Sequence, residues 1–600
     1  MTHRLDFILF ALYLAFNIAL GIWVARRKAT DTRGYFLAGD GLPWYTIGGS
    51  IIAANISTEH FIGMIGVAYA VGFVVAQWEW GNWFTFSALI WIFLPYYIRG
   101  GLYTMPEFLE RRFNPTCRYL FAVCSLVLWI VAQMAVVMLA GGKAMKGMFG
   151  WNETVTIIGL AVLAGSYTIY GGLVAVAWTD FLQFIVMMLG GLVVTAVGLH
   201  KVGGLHDLMM AAPEKFKIIY PITDKEYPWF GVWSLFISIG IWYNCTNQFI
   251  VQRCLGARSE WDARMGVVFA GFMKILLPLL VVVPGIVAFK LYPNLADKDQ
   301  AFPTLVRELV PVGLSGIVMA GLASGMLSHI SSVLNSCSTV FTMDLYRPFF
   351  GRGKSEQHMV RLGRLSAFAI LVITTSLAIW FSYRQLGVFV LIQNVGAWVA
   401  APIAAVFLLG VLWKRTTAWA ATFCLLFAFP YTAFVEYYLF KHVSWLMPFD
   451  NWLNRTFLVW VTSMLLLVVL SLFPLAPGAA QIKRIIWSWR VAMPPFENER
   501  SRGGLRNLIA WLTSELVRVS VAFFNRFMVI IASLFTQPDA ERIRSIIWSW
   551  NIAKLPESER ERNRGLRNLF LWWSLFIGIM AAQYAYVMWF QFWGPGRGHR

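Results

Sequence analysis

Five polar residues stand close together inside an apolar run. The stretch IIAANISTEHFIGM, residues 51–64, carries Asn55, Ser57, Thr58, Glu59 and His60. On a helix facing lipid each of these side chains would lack a hydrogen-bond partner, which hydrocarbon penalises strongly. Gly48 and Gly49 precede the cluster and Gly63 follows it, so the backbone can open there and turn its groups toward a small ion or solute. The serines of GLASGMLSHISSVLNS, residues 321–336, could join main-chain carbonyls in a set of hard oxygen ligands suited to a monovalent cation. Serines also serve tight helix contacts in membranes, so their spacing alone fits either role.

Other polar groups interrupt apolar runs further on. Glu79 lies between Trp78 and Trp80, Lys274 breaks GVVFAGFMKILLPLL, Gln393 and Asn394 break a third run, and Tyr243, Asn244, Asn247 and Gln248 cluster in a fourth. An acid, a base and several amides with aromatic neighbours can hydrogen-bond hydroxyls while rings cover an apolar face. That inventory suits a sugar or polyol better than a lipid or a bare metal ion. Glu79 and Lys274 could also be a charge pair holding helices together, a role compatible with substrate contact. HExxH and GxSxG are both absent from the chain, which argues against an enzyme. The six cysteines show no CxxC or Cys/His metal spacing and read as packing thiols.

These groups must be positioned by membrane helices. The chain has 600 residues, 58% hydrophobic and 13% charged, against about 25% charged in soluble domains. Apolar runs of spanning length recur along most of it, so an all-α polytopic membrane protein with about 14 transmembrane helices is expected. The first run, Leu5 to Val24, is long enough to span and is followed by basic residues, so it reads as a span and not as a cleavable signal peptide. The formal net charge of +19 concentrates in alternate short loops, as the positive-inside rule requires, and so does not point to nucleic acid. RGGLYTMPEFLERRFN (99–114), QRCLGARSEWDAR (252–264), YRPFFGRGKSEQHMVRLGR (346–364) and WKR (413–415) all fall inside, which puts both termini outside a cell membrane.

The expected organisation is a leading span and loop (1–42), a five-helix unit (43–199), an external loop (200–227), a second five-helix unit (228–412), two peripheral spans (413–475), a cytoplasmic insertion (476–565) and a last span with its tail (566–600). Five is odd, so the second unit must be inverted relative to the first, with a binding site between them. The insertion holds a tandem repeat: RIIWSWRVAMPPFENERSRGGLRNL (484–508) recurs as SIIWSWNIAKLPESERERNRGLRNL (545–569). Between the copies, Val519 to Phe535 suits an interfacial or re-entrant helix. The repeat reads either as a duplicated filler or as a site for an unidentified protein partner.

FLAGDGLPW (36–44), IIAANISTEHFIGM, YTMPEFLERRFN (103–114), IYGGLVAVAWTDFLQ (169–183), NQFIVQRCLGARS (247–259), LNSCSTVFTMDLY (334–346) and PIAAVFLLGVLWKR (402–415) appear in order. In these stretches the chain resembles the sodium/solute symporter family, in its sodium–sugar cotransporter branch. The resemblance implies the inverted five-helix-repeat (LeuT-type) core and alternating access. It implies sugar contacts at Asn55, His60, Glu79, Lys274 and Gln393, an aromatic gate at Tyr243, and an outer lid at Met64 and Phe389. His60 matches a histidine of animal members where a bacterial member has Gln, and Gly240 stands where that member has a sugar-contacting Asn. The implied sodium site comprises carbonyls of Ala53, Ile56 and Gly325 with the Ser328 hydroxyl; where the family has a second serine, this chain has His329. Asp180 matches an acid on the family's ion exit path. The expectation is therefore sodium-coupled sugar symport. Proton-coupled or uncoupled carriage, and a non-transporting sugar sensor, are the alternatives.

Overall fold

The computed structural model describes residues 4–26, 31–384, 388–444, 446–473, 548, 553–556, 559 and 565–594, with the side chains of 388–398 and 565–567 left aside. The described residues are almost wholly helical, with two isolated bridges and no strand. The first repeat copy and the stretch from Val519 to Phe535 lie outside them, as do Phe389 and Gln393 beyond their backbone places on the helix Val388–Leu412.

Nine of the described helices are long and apolar enough to cross a membrane, or ten when the bent pair Trp44–Asn55 and Glu59–Val71 counts as one span. Length and composition among the described residues thus give ten of the expected 14, and particular breaks account for three of the four others, the fourth being the span that ends in the shorter apolar stretch Val399–Leu412. Glu153–Lys201 is a continuous 49-residue element that turns at Gly172, whose φ of 59° suits glycine. A Cβ at Gly172 would lie 2.2 Å from the Tyr35 carbonyl oxygen, so the turn also requires a residue without one. The stretches 77–99 and 229–255 are divided by π-helical turns and stops into pieces too short to count.

Two close crossings position the polar groups. Gly48 and Gly266 face each other: a Cβ on Gly48 would lie 2.5 Å from the Gly266 carbonyl. The helices Trp44–Asn55 and Glu260–Val281 run parallel from there, and about two turns on, Asn55 meets Lys274. Their starts are tied as well, because the Trp44 N–H donates to the Asp262 carboxylate at 3.1 Å. Gly190 and Gly321 make the second crossing, each Cβ direction ending 3.3 Å from the other's Cα. There the helices Glu153–Lys201 and Leu314–Val340 run antiparallel, which brings Asp180 to Ser328.

The described part of the second repeat copy packs on the ends of these helices. The Glu559 carboxylate accepts the N–H groups of Glu260 (3.0 Å) and Trp261 (2.9 Å), and Ser259 accepts that of Asp262 (3.0 Å). Three orphan donors of one helix start are thereby satisfied. Arg264 donates to the Ala553 carbonyl (2.7 Å), Arg99 to that of Lys554, and the Trp548 backbone N–H to Val411 (3.0 Å).

Candidate functional site

The first helix of the expected first unit stops at Asn55, and Ile56 takes an extended conformation (φ −93°, ψ 123°). A π-helical turn, Glu59–Met64, resumes at an angle of 61°. At the break the main chain is bonded by side chains. The Ser57 N–H donates to Nδ1 of His60 at 3.3 Å, so in the neutral ring the proton sits on Nε2. Nε2 in turn lies 3.2 Å from Glu79 Oε1.

Glu79 is buried, and its other oxygen accepts from Lys274 Nζ at 2.5 Å. Lys274 also donates to the Asn55 side-chain oxygen. Asn55, His60, Glu79 and Lys274, from three separated stretches, therefore form one network. Tyr243 joins them: its hydroxyl faces Asn55, and unlike the buried Asn244 beside it, its side chain is only half-buried. Breaking a buried charge pair by removing one partner is strongly destabilising, so the pair is structural whatever else it does. Its amide and imidazole neighbours still offer donors and acceptors to a hydroxylated ligand once they exchange partners. Met64 lies half-buried at the end of the π-helical turn, one turn beyond His60.

Gly240 has a physical reason that the sequence does not reveal. A Cβ there would lie 2.7 Å from Cγ2 of Thr85, so the position expected to hold a sugar-contacting amide is closed by a neighbouring side chain.

The second cluster lies where the broken helix meets Leu314–Val340. Gly325 abuts the Ile56 carbonyl, whose oxygen would be 3.2 Å from a Cβ there. His329 is buried, and its Nδ1 lies 2.8 Å from the Ala54 carbonyl oxygen; since the carbonyl can only accept, this nitrogen carries the proton. The imidazole thus binds a carbonyl that, with Asn55, lies between the two residues, Ala53 and Ile56, expected to supply ion ligands. Ser328 donates to Asp180 at 2.7 Å, and Asp180 also accepts from Ser50 (2.6 Å), Ser332 (3.2 Å) and Arg253 (2.9 Å).

Arg253 belongs to this second cluster, and sequence reading misses it. It lies within a stretch read as a basic inside loop, yet it is buried on the helix Gln248–Leu255, bonded to Asp180, Ser50 and Ser332. Arg264, in the same stretch, is buried against Glu260. Edge-on aromatic contacts join the two clusters: Tyr243 to Phe249 at 5.7 Å between centroids, and Phe249 to His329 at 5.8 Å.

The profile of the sodium:solute symporter family matches residues 35–427, a range holding every residue of both clusters. A sodium/glucose cotransporter of Vibrio parahaemolyticus is 37% identical over 476 residues, which are 73% of this chain and 86% of that protein. A sodium/myo-inositol cotransporter 2 of Mus musculus is 33% identical over 452 residues, 68% of this chain and 67% of that protein. A solved sodium-coupled sialic acid symporter in a substrate-bound, outward-open state shares the fold, with a TM-score of 0.69 at 19% identity over 78% of this chain and 98% of that one.

Proposed function

Because this chain belongs to the sodium:solute symporter family, we propose that it carries a sugar or cyclic polyol across the cell membrane, driven by sodium and by alternating access between two inverted five-helix units (43–199 and 228–412). The observation that carries this reading is the buried network of Asn55, His60, Glu79 and Lys274 beside Tyr243. It provides donors, acceptors and a ring face at the break of a discontinuous helix, where transporters of this design hold their substrates. The relatives named for glucose and myo-inositol supply the two substrates to try first. Gln393, Met64 and Phe389 complete the substrate site in this reading. Both termini lie outside, and the 476–565 insertion lies inside.

Coupling would proceed as follows. A cation held near Ala53, Ile56, Gly325 and Ser328 stabilises the opened helix, whose neighbouring residues Asn55 and His60 hold the sugar. Each ligand thus favours the backbone geometry the other needs, and linkage makes the effect reciprocal. Counterflow of labelled glucose or myo-inositol in proteoliposomes tests the transport reading, because a sensor or an enzyme would show none.

One observation favours a second reading of the ion alone. His329 stands at the place of a hydroxyl and is bonded to Ala54. The bulkier imidazole would leave sodium fewer ligands, giving weak sodium dependence or an uncoupled carrier. Uptake with sodium replaced by choline at fixed pH separates the two.

A further inference from the structure

The segment that carries Tyr243 is not part of a continuous α-helix. Trp242–Thr246 is a single π-helical turn, and the chain leaves it at Asn247 in an extended conformation (φ −72°, ψ 126°). Its position is set by side chains. Asn244 Nδ2 donates to Asn82 Oδ1 at 2.6 Å and to Thr85 Oγ1 at 2.9 Å. Asn82 Nδ2 donates to the main-chain carbonyls of Trp78 (2.8 Å) and Glu79 (3.0 Å). Cys245 Sγ lies 3.4 Å from the Thr85 carbonyl, and Thr85 also fills the notch left by Gly240. Both amides are buried, and each is next to a residue of the substrate network: Asn82 one turn after Glu79, Asn244 directly after Tyr243.

We propose that Asn82 and Asn244 form an amide clasp between the two inverted units that fixes the Glu79 wall of the substrate site against the Tyr243 wall. Neither is a substrate contact in this role; both are positioning residues. A continuous path of short hydrogen bonds runs from the Glu79 main chain through Asn82 to Asn244, and the peptide bond carries it to Tyr243. Without the clasp, the π-helical turn keeps the Tyr97 hydroxyl on the Cys245 carbonyl (2.9 Å) and Trp129 Nε1 on the Asn247 side chain (2.9 Å). Those bonds hold its inner end, beyond Tyr243. The substrate would then meet two walls at variable separation and lose affinity, while the membrane-spanning fold and the ion cluster stay in place.

The inference rests on the substrate site proposed above, so the test separates the two. Full-length protein in proteoliposomes is assayed for uptake of labelled glucose and myo-inositol, alongside thermal unfolding of the purified protein. The variants are Asn82→Ala, Asn244→Ala, both together, Asn244→Asp and Glu79→Gln. Each alanine variant should raise the half-saturating sugar concentration about tenfold at near-unchanged maximal rate, the scale of the Asn82–Asn244 hydrogen bond that both variants lose. The double variant should show the same roughly tenfold effect rather than about a hundredfold, because residues acting as one unit are lost together. Asn244→Asp keeps the shape, removes the donor, and should match Asn244→Ala; it also serves if the alanine variant does not fold. Lost uptake in Glu79→Gln together with half-saturation within twofold of wild type in the amide variants overturns the clasp and leaves the site standing, even if they unfold at lower temperature. A multiplicative double variant overturns it as well. Wild-type uptake in Glu79→Gln overturns the site itself.

Discussion

Nδ1 of His329 donates to the Ala54 carbonyl across 2.8 Å, joining the fully helical Leu314–Val340 to the helix that breaks two residues later. The contact both supports the break and places a ring where an ion ligand is expected. His329→Ser should release the carbonyl, restore a hydroxyl beside Ser328, and tighten sodium dependence. Uptake measured with sodium replaced by potassium or choline, at fixed pH, checks this. Undiminished wild-type uptake without sodium would remove sodium from the mechanism, and an unaltered sodium response in His329→Ser would remove position 329 as the cause.

Lys274→Met should destabilise the protein by about 3–5 kcal/mol, since it leaves the Glu79 carboxylate buried with only His60 beside it. Glu79→Gln in the same background should recover much of that loss without recovering uptake. Thermal unfolding in detergent, paired with sugar uptake, reads both effects. A double variant no more stable than Lys274→Met would show that the two charges do not act as a pair.

Asp180→Asn should leave the buried Arg253 without its carboxylate, lowering both stability and ion-driven uptake. Arg253→Gln in addition should restore stability while uptake stays low, because Ser328 then still lacks the carboxylate that orients it. Sugar binding without ions, followed by tryptophan fluorescence, should be little changed in either variant. Loss of sugar binding in Asp180→Asn would place this acid in the substrate site instead.

Deletion of residues 480–540 should leave sugar binding intact, because the residues of both clusters precede it and the described part of the second repeat copy follows it. Isothermal titration of the purified deletion protein checks this. A folded deletion protein that no longer binds sugar would assign the first repeat copy to the core.

Sequence alone makes the buried polar network legible for a simple reason. Ionisable groups inside apolar runs are costly, so Glu79, Lys274 and His60 draw attention, and glycines flanking Asn55 mark the break. Arg253 is hidden because a cation beside a basic loop looks like a topology signal, and the acid it bonds, Asp180, lies 73 positions earlier in the chain. Asn82 is hidden in another way. It sits among tryptophans at the start of a span, where an amide passes for an interfacial residue, and its partner Asn244 is 162 positions away. Gly240 reads as a missing contact, whereas the closeness of Thr85 makes it a packing requirement. A count of spans by helix length falls below the expected 14 partly where π-helical turns divide runs that hydropathy treats as continuous.

The seat of Glu559 on the N–H groups of Glu260 and Trp261 bears on how chimeras of this protein should be built. That helix carries Lys274 further along, so its start is secured by a residue nearly three hundred positions later. A graft that exchanges the tail for that of a relative, or trims the chain after the last peripheral span, would strip the acceptor from two main-chain donors and the Ala553 carbonyl from Arg264. The transport core is therefore not a portable module with a detachable end. A designer who wants one must write a replacement acceptor into the junction, close enough to reach residue 260.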